Sequence, residues 1–385
     1  MDFALDEEHQ AFADSVSRFA QDKLAAGALA RAHATEHPWE AARAIAEQGL
    51  LGIAFPEADG GQGGTLMHAV LAIQQIALVC PKSADIVQAG NFGPIRTFVE
   101  YATAEQKARF LPDLLAGRKL IALGMTEPDA GSAVTELKTS ARLEGDEYVI
   151  NGSKIFSTNS PEASLFLIYV RFGPGLDGIG SVLIERGAPG FTVGTPSSFM
   201  NGEQWSQLYF DNARIPAANL LLGTGGFKKQ ISGFNVERLG NASRSLALGR
   251  YAFNLAREHA LTRKQFGREL CEFQGLQWKF ADMWMKLEQA QLLLYRAALE
   301  GEGGQLPSAQ STAMAKLACN EAGWFVANEA LQVMGGMGFS QEALVEYCVR
   351  RIRGWMIAGG SIEILKNRIA EGVFGKSFSQ RPPKA

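Results

Sequence analysis

Apolar positions recur at helical spacing at both ends of the chain and in short strand-like runs in the middle. Behind Asp6, a suitable N-cap, Phe12, Val16, Phe19 and Leu24 share one face and predict an amphipathic helix over residues 6–24. Helical patterns continue to about residue 119, interrupted at 55–64 by a run containing Gly60, Gly61, Gly63 and Gly64. From about 120 to 225 the texture changes to short β-branched and aromatic runs separated by Gly, Pro and Asn. Examples are Tyr148-Val149-Ile150, residues 165–171, Ser181-Val182-Leu183-Ile184, Gly190-Phe191-Thr192-Val193 and Gln207-Leu208-Tyr209-Phe210. After Gly225 and Gly226 long helices return, with Val236, Leu239, Leu246 and Phe253 marking one apolar stripe and similar stripes near 273–299 and 308–333. The pattern predicts an α-helical domain over 1–119, a β-domain over 120–225 and a second α-helical domain over 226–385.

With 385 residues, 46% of them hydrophobic, the chain can build one large core or several smaller ones. A net charge of −3 removes the basic footprint of a nucleic-acid binder or a peripheral membrane protein. The opening Met1-Asp2-Phe3-Ala4-Leu5-Asp6-Glu7-Glu8 is acidic where a secretory or transit signal is basic, and no apolar run is long enough to cross a bilayer. A cytoplasmic location is expected. Cys80, Cys271, Cys319 and Cys348 lie far apart, so buried, reduced thiols are expected rather than a zinc knuckle or a disulfide framework. His33 and His37 are four apart, but Pro38 follows at once, and no metal is expected. Three glycine-containing stretches only mimic nucleotide loops. Residues 55–64 have no preceding strand and no closing Lys-Ser/Thr, 173–178 open no helix, and Gly375-Lys376-Ser377 lacks its leading glycine.

The most informative residues are Met125-Thr126-Glu127-Pro128-Asp129-Ala130-Gly131-Ser132, followed by Asn151-Gly152-Ser153-Lys154-Ile155-Phe156-Ser157-Thr158. A hydroxyl, a proline-punctuated turn and a Gly-Ser pair let backbone approach a flat polar ligand closely, as in a flavin cradle. This pair of motifs resembles the acyl-CoA dehydrogenase family, flavoenzymes that introduce a double bond between the α and β carbons of a coenzyme A thioester. The likeness extends over nearly the whole chain. It implies an α+β fold: an N-terminal all-α domain, a middle β-barrel or sandwich domain and a C-terminal four-helix bundle. It also implies FAD as cofactor, an acyl-CoA substrate, an electron-transferring flavoprotein as partner, and a homotetramer built as a dimer of dimers.

Desaturation of this kind needs a base for a weakly acidic α C–H, donors for the developing enolate oxygen, and a flavin N5 facing the β carbon. The family usually places a glutamate in a Tyr-Glu-Gly-Thr-type segment before the last long helix. Here that stretch reads Met356-Ile357-Ala358-Gly359-Gly360-Ser361-Ile362-Glu363-Ile364, with Gly359 at the carboxylate position. A second branch, including isovaleryl-CoA dehydrogenase-like enzymes, carries the base on the first helix of the C-terminal domain, and Phe234-Asn235-Val236-Glu237-Arg238-Leu239 matches that setting. Glu237, Asn241, Arg244 and Ser245 fall at i, i+4, i+7 and i+8, a polar face opposite the apolar stripe, while Arg238 points elsewhere. This face is either solvated or functional, and the missing carboxylate at 359 favours Glu237 as the base. Gly359 keeps the backbone N–H that the family uses, with a flavin ribityl hydroxyl, to hold the thioester oxygen. Gly359 and Gly360 leave volume for a branched, cyclic or aryl acyl group. Implied substrate contacts are Ser132, Phe234, Asn235, Arg238, Asn241 and Gly359.

The same likeness implies the cofactor contacts. Leu123 through Thr126, including Met125, would line the isoalloxazine edge, with Gly131 and Ser132 near the pyrophosphate or ribityl chain. Phe156, Ser157 and Thr158 would lie against the other flavin face, Phe156 standing where tryptophan is common and Ala133 where aspartate is; Phe156 also reads as β-domain core. Arg263, Gln265, Phe266, Phe273 and Gln274 would reach the pyrophosphate and adenosine of a neighbouring subunit's FAD, although an Arg-Lys pair at a helix end also suits the helix dipole. Gln332, Val333, Gly335 and Gly336 form a third cofactor segment that also reads as a helix C-cap. Gly360, Ser361 and Glu363 open the last helix, whose N-terminus favours negative charge. The expected reaction passes the α proton to Glu237, hydride to flavin N5 and electrons to an electron-transferring flavoprotein. Alternatives are a monooxygenase, thioester reductase or desulfinase on the same fold, or an inactive partner subunit. Glu237 speaks against a monooxygenase, and Thr126, Ser132, Thr158, Arg263 and Gln332 speak against an inactive partner.

Overall fold

The computed structural model describes residues 4–378; Met1, Asp2 and Phe3 of the acidic opening, and residues 379–385, lie outside the described residues. Asp6 does cap the first helix, accepting the His9 amide at 2.9 Å, and α1 runs Glu7–Leu24. There follow α2 (Ala28–His33), α3 (Trp39–Glu47), α4 (Leu66–Ala77), α5 (Ala84–Asn91), α6 (Pro94–Tyr101) and α7 (Ala104–Leu115). Thr65 with His68 and Thr103 with Gln106 form capping boxes that start α4 and α7. The glycine-rich stretch before α4 folds into turns that consume its own amides. Gly61 N–H donates to Pro56 O, Gln62 N–H to Gly52 O, Gly63 N–H to Phe55 O and Gly64 N–H to Ile53 O, so these donors are not turned toward a phosphate.

Nine strands then build one mixed sheet: β1 (Ile121–Gly124), β2 (Ser140–Glu144), β3 (Glu147–Thr158), β4 (Leu165–Arg171), β5 (Ile179–Glu185), β6 (Phe191–Val193), β7 (Ser197–Ser198), β8 (Gln204–Pro216) and β9 (Leu220–Leu222). The order is β6-β8-β3-β2-β4-β5-β9, with β1 parallel to β4 and β7 beside β8. Both faces of β4 are buried. Leu165, Leu167 and Tyr169 enter one core with Phe55, Phe98 and Phe110 of the helical segment, whereas Phe166, Ile168 and Val170 enter another with Phe191, Leu208 and Phe210. Residues 5–234 form one compact unit and residues from 235 onward a second.

The helix α8 (Phe227–Thr262) opens in the first unit and continues in the second. After the hairpin β10 (Lys264–Gln265) and β11 (Arg268–Glu269) come α9 (Gln274–Leu299), α10 (Ala309–Met334), α11 (Gly336–Phe339), α12 (Val345–Trp355) and α13 (Ile362–Phe374). Ser361 caps α13, and Gly375, at φ +59°, ends it in the left-handed conformation. No helix among the described residues is long and apolar enough to cross a membrane.

The α8 and α10 backbones touch. A Cβ added at Gly249 would lie 2.7 Å from Gly323 Cα, and one added at Gly323 would lie 2.2 Å from Ser245 O. Alanine in place of glycine usually favours a helix by about 1 kcal/mol. Here its methyl meets backbone that cannot rotate away, so the helices would have to separate. Gly323→Ala is expected to lose about 1–3 kcal/mol net, read as a lower denaturation midpoint with unchanged m-value.

Candidate active site

In the first unit the two sequence motifs are stitched together. Ile155 N–H donates to Thr126 O at 2.8 Å, and Ser157 Oγ donates to Leu123 O at 2.9 Å. With both neighbours tied down, β3 slips register against β8 between Lys154 and Ser157, and Phe156 is expelled at φ +58°. Its ring is 51% exposed, packed against Trp205 at 4.7 Å and Phe199 at 6.1 Å. An exposed, conformationally strained aromatic platform suits a flat ring system. The reading of Phe156 as ordinary β-domain core therefore fails: the bulge turns the ring outward. Ser157, by contrast, is buried, and its hydroxyl is held by Leu123. Gly131 and Ser132 are exposed, with no atom within 4 Å of a Cβ built on Gly131.

Beneath this platform lies a buried ion pair that the sequence reading missed. Lys154 Nζ, fully buried, meets Glu127 Oε1 at 2.7 Å and Met125 O at 3.3 Å. Glu127 also accepts the amides of Lys138 at 2.6 Å and Thr139 at 2.9 Å. Burial pushes the Lys154 ammonium down to about 8 against the pull of Glu127. Burial raises Glu127, but Lys154 and the two amides outweigh it and leave the carboxyl below its usual range. Both residues stand inside the quoted motifs, yet no spacing rule links positions 27 apart.

In the second unit the polar face of α8 is not solvated. Every residue from Arg238 to Gly249 is buried, and α10 supplies partners for the polar ones. Asn320 donates its amide to Asn241 Oδ1 at 3.2 Å and to Ser245 Oγ. One turn earlier Lys316, also fully buried, donates to Trp355 O and Gly360 O at 2.9 Å each. A Cβ at Gly359 would lie 3.6 Å from Lys316 Cε and 3.7 Å from Asn241 Nδ2. Glu237 is half-buried and close enough to Lys316 to raise its proton affinity. Burial dominates nonetheless, Arg238 and Arg244 oppose the charge, and Lys316 falls to about 7. Arg238 donates to Asn235 Oδ1 at 2.9 Å; burial and then Arg368 lower its guanidinium to about 10. Arg244 and Arg351 stack on the Trp355 ring at 4.4 and 4.8 Å. Glu237, Asn241, Ser245 and Gly359 thus share one cluster. Sequence reading overlooked Lys316, although it is the single charged residue in an otherwise uncharged stretch from 309 to 320.

The turn joining α12 to α13 has Gly359 at φ +70° and Gly360 at φ +91°. Among the described residues, neither glycine amide donates to a protein acceptor, so both remain for a bound group. The remaining residues are spread over the surface of the second unit. Arg263, Gln265 and Phe266, the last 94% exposed, lie at and after the end of α8, and Phe273 and Gln274 precede or open α9. Gln332, Gly335 and Gly336 are exposed where α10 gives way to α11; Val333 is buried. Arg268 covers Phe273 at 4.0 Å. Outside these segments, His37 is buried and pushed down to about 4 by burial and Lys82. All four cysteines are free, Cys271 being half-buried and the others buried.

A strained aromatic platform, exposed glycine backbone and unpaired turn amides beside a half-buried carboxylate define a site suited to a flat cofactor and a polarisable carbonyl. Family models for the acyl-CoA dehydrogenase N-terminal, middle and C-terminal domains match residues 6–118, 122–213 and 224–374. The chain belongs to the acyl-CoA dehydrogenase family, FAD-dependent oxidoreductases. A 3-sulfinopropanoyl-CoA desulfinase of Paraburkholderia xenovorans is 33% identical, covering 98% of this chain and 99% of that protein. A short-chain-specific acyl-CoA dehydrogenase of Clostridium acetobutylicum is 34% identical, covering 97% and 100%. Among solved structures, butyryl-CoA dehydrogenase from Megasphaera elsdenii superposes with a TM-score of 0.90 at 32% identity, covering 97% of this chain and 100% of that one.

Two expectations follow. Glu127→Ala strands Lys154 as a buried, uncompensated cation and is expected to destabilise by about 3–5 kcal/mol in chemical denaturation. For Lys316, the unfolded side chain holds its proton to about pH 10.4 whereas the folded one releases it near 7. Between these values the unfolded state binds more protons, so stability contributed at this site rises with pH. The melting temperature of wild type relative to Lys316→Met should therefore climb from pH 7 to pH 10; a flat difference would contradict the lowered proton affinity.

Proposed function

We propose that the protein catalyses α,β-dehydrogenation of an acyl-CoA thioester with Glu237 as the base. The observation carrying this reading is that Gly359, at the usual carboxylate position, and Glu237 flank the same Lys316 and Asn241 side chains. Moving the carboxylate from the turn to α8 keeps it beside the same space. Glu237 accepts the α proton on a carboxylate oxygen, and the Gly359 amide donates to the thioester oxygen as negative charge develops there. FAD, when bound, supplies the acceptor for the β hydrogen. The Phe156 platform, Met125, Thr126, Thr158, Gly131 and Ser132 would hold its rings and ribityl chain, and Gly360, Ser361 and Glu363 its other side. Arg263, Gln265, Phe266, Phe273, Gln274, Gln332, Gly335 and Gly336 are read as contacts to the adenosine and pyrophosphate of a neighbouring copy. Exposed Phe266, Trp278, Trp284 and Met285 support that homo-oligomer. The electrons are assigned to an electron-transferring flavoprotein. The side chain missing at Gly359 favours a branched, cyclic or aryl acyl group.

A second reading, desulfination, is favoured by the relative named a 3-sulfinopropanoyl-CoA desulfinase together with the absent carboxylate at 359. Anaerobic mixing of the holoenzyme with butyryl-, isovaleryl- and 3-sulfinopropanoyl-CoA separates the two. Dehydrogenation bleaches the flavin, whereas sulfite release without bleaching is the mark of desulfination. Glu237→Gln is expected to retain FAD while slowing bleaching by at least about a hundredfold. Bleaching at the wild-type rate would remove Glu237 from the role.

A further inference from the structure

We infer that Lys316 is a positioning residue: by clamping Trp355 O and Gly360 O it sets the turn that presents the Gly359 amide to the thioester oxygen. This rests on the reading of Gly359 and Glu237 given above. Two consecutive glycines with positive φ make residues 359–360 the least constrained backbone of the site. The α12 helix ends at Trp355 and Ser361 caps α13, so the intervening residues have little helical bonding to define them. The contacts inside the turn are the Ile357 and Ala358 amides on Gly354 O and the Ile362 amide on Met356 O, none of which involves either glycine. Lys316 supplies what is missing. One ammonium joins the last carbonyl of α12 to the carbonyl just before the α13 cap, and it does so from α10, whose position is fixed by the glycine contact with α8.

An ammonium, rather than a neutral donor, is also chemically suited to the task. It offers three N–H groups from a compact head and can bridge carbonyls about a helical turn apart. Burying it is costly unless the carbonyls compensate, so the clamp is held closed by the same desolvation that lowers its proton affinity. Oxyanion donors act only when pre-set; loss of one commonly lowers turnover by about 10²–10³-fold. A loosened turn is a partial loss of that kind, and an effect of about tenfold or more is expected.

Acetoacetyl-CoA tests this without turnover, because its α carbon is acidic in its own right and its enolate gives a long-wavelength band with bound FAD. In the Lys316→Met holoenzyme the apparent ionisation of bound acetoacetyl-CoA should move up by about one pH unit, with kcat falling more than KM rises. Lys316→Gln, which keeps two N–H donors without the charge, should recover most of both, and it carries the test if the methionine variant does not hold FAD. A methionine variant that only melts earlier, with wild-type enolate ionisation and kcat, would reduce Lys316 to a structural role. A glutamine variant as impaired as methionine would show that charge, not the clamp, matters and would overturn the proposal. Glu237→Gln keeps the two readings apart. Normal bleaching there rejects the base while leaving a shifted enolate ionisation in Lys316→Met as support for the clamp. Failure of the wild-type holoenzyme to form any acetoacetyl-CoA enolate rejects both.

Discussion

Everything in the second unit depends on two glycines that let α8 and α10 meet backbone to backbone. With Gly249 against Gly323, the side chains one and two turns earlier fall opposite one another in the same order, so the helices run parallel. Asn241 and Ser245 reach the Asn320 amide, and Lys316 reaches the far side of the bundle where α12 ends. Even a small separation would break hydrogen bonds whose useful range spans a few tenths of an ångström. The site is therefore positioned by an absence of side chains, which brings the polar ones within bonding distance.

A second theme is the burial of charge. Each unit hides a lysine completely, but compensates it differently. Lys154 has a carboxylate partner and a backbone carbonyl, whereas Lys316 has two carbonyls and only a through-space pull from Glu237. The first arrangement is close to neutral and locks two motifs together. The second leaves a local excess of positive charge, with Arg238 and Arg244 adding to it. Such an excess lowers the energy of any negative charge that forms in the same space, whether on a carboxylate or on an enolate oxygen.

Helices with caps and stripes were open to sequence reasoning: Asp6 before α1, Ser361 before α13, and the stripe Val236, Leu239, Leu246 and Phe253, all buried in α8. The apolar runs at 165–171 and 181–184 marked the central strands because both their faces are buried. The strand β1 was not legible. It is short and owes its existence to parallel pairing with β4, a partner some forty residues away. The 27-residue separation of Glu127 and Lys154 has no periodicity to reveal it. Gly249 and Gly323 look like minor defects in helical sequence, and their value appears only once the two helices are side by side. The polar face of α8 illustrates the same limit: spacing showed that Glu237, Asn241 and Ser245 share a side, but solvent and a second helix give identical patterns in one sequence. The outward turn of Phe156 arises from a bulge produced by bonds on both its neighbours, which its own identity does not encode.

The grip on the α12–α13 turn has a consequence for how such a site can diversify. Lys316 holds the turn through main-chain oxygens, which every amino acid possesses, so its anchorage is indifferent to the side chains carried there. Residues 356–361 can exchange size and charge while the loop keeps its course. A carboxylate can then vanish from position 359 in one lineage, and chemistry resume from a neighbouring helix, without the scaffold having to be rebuilt around the change.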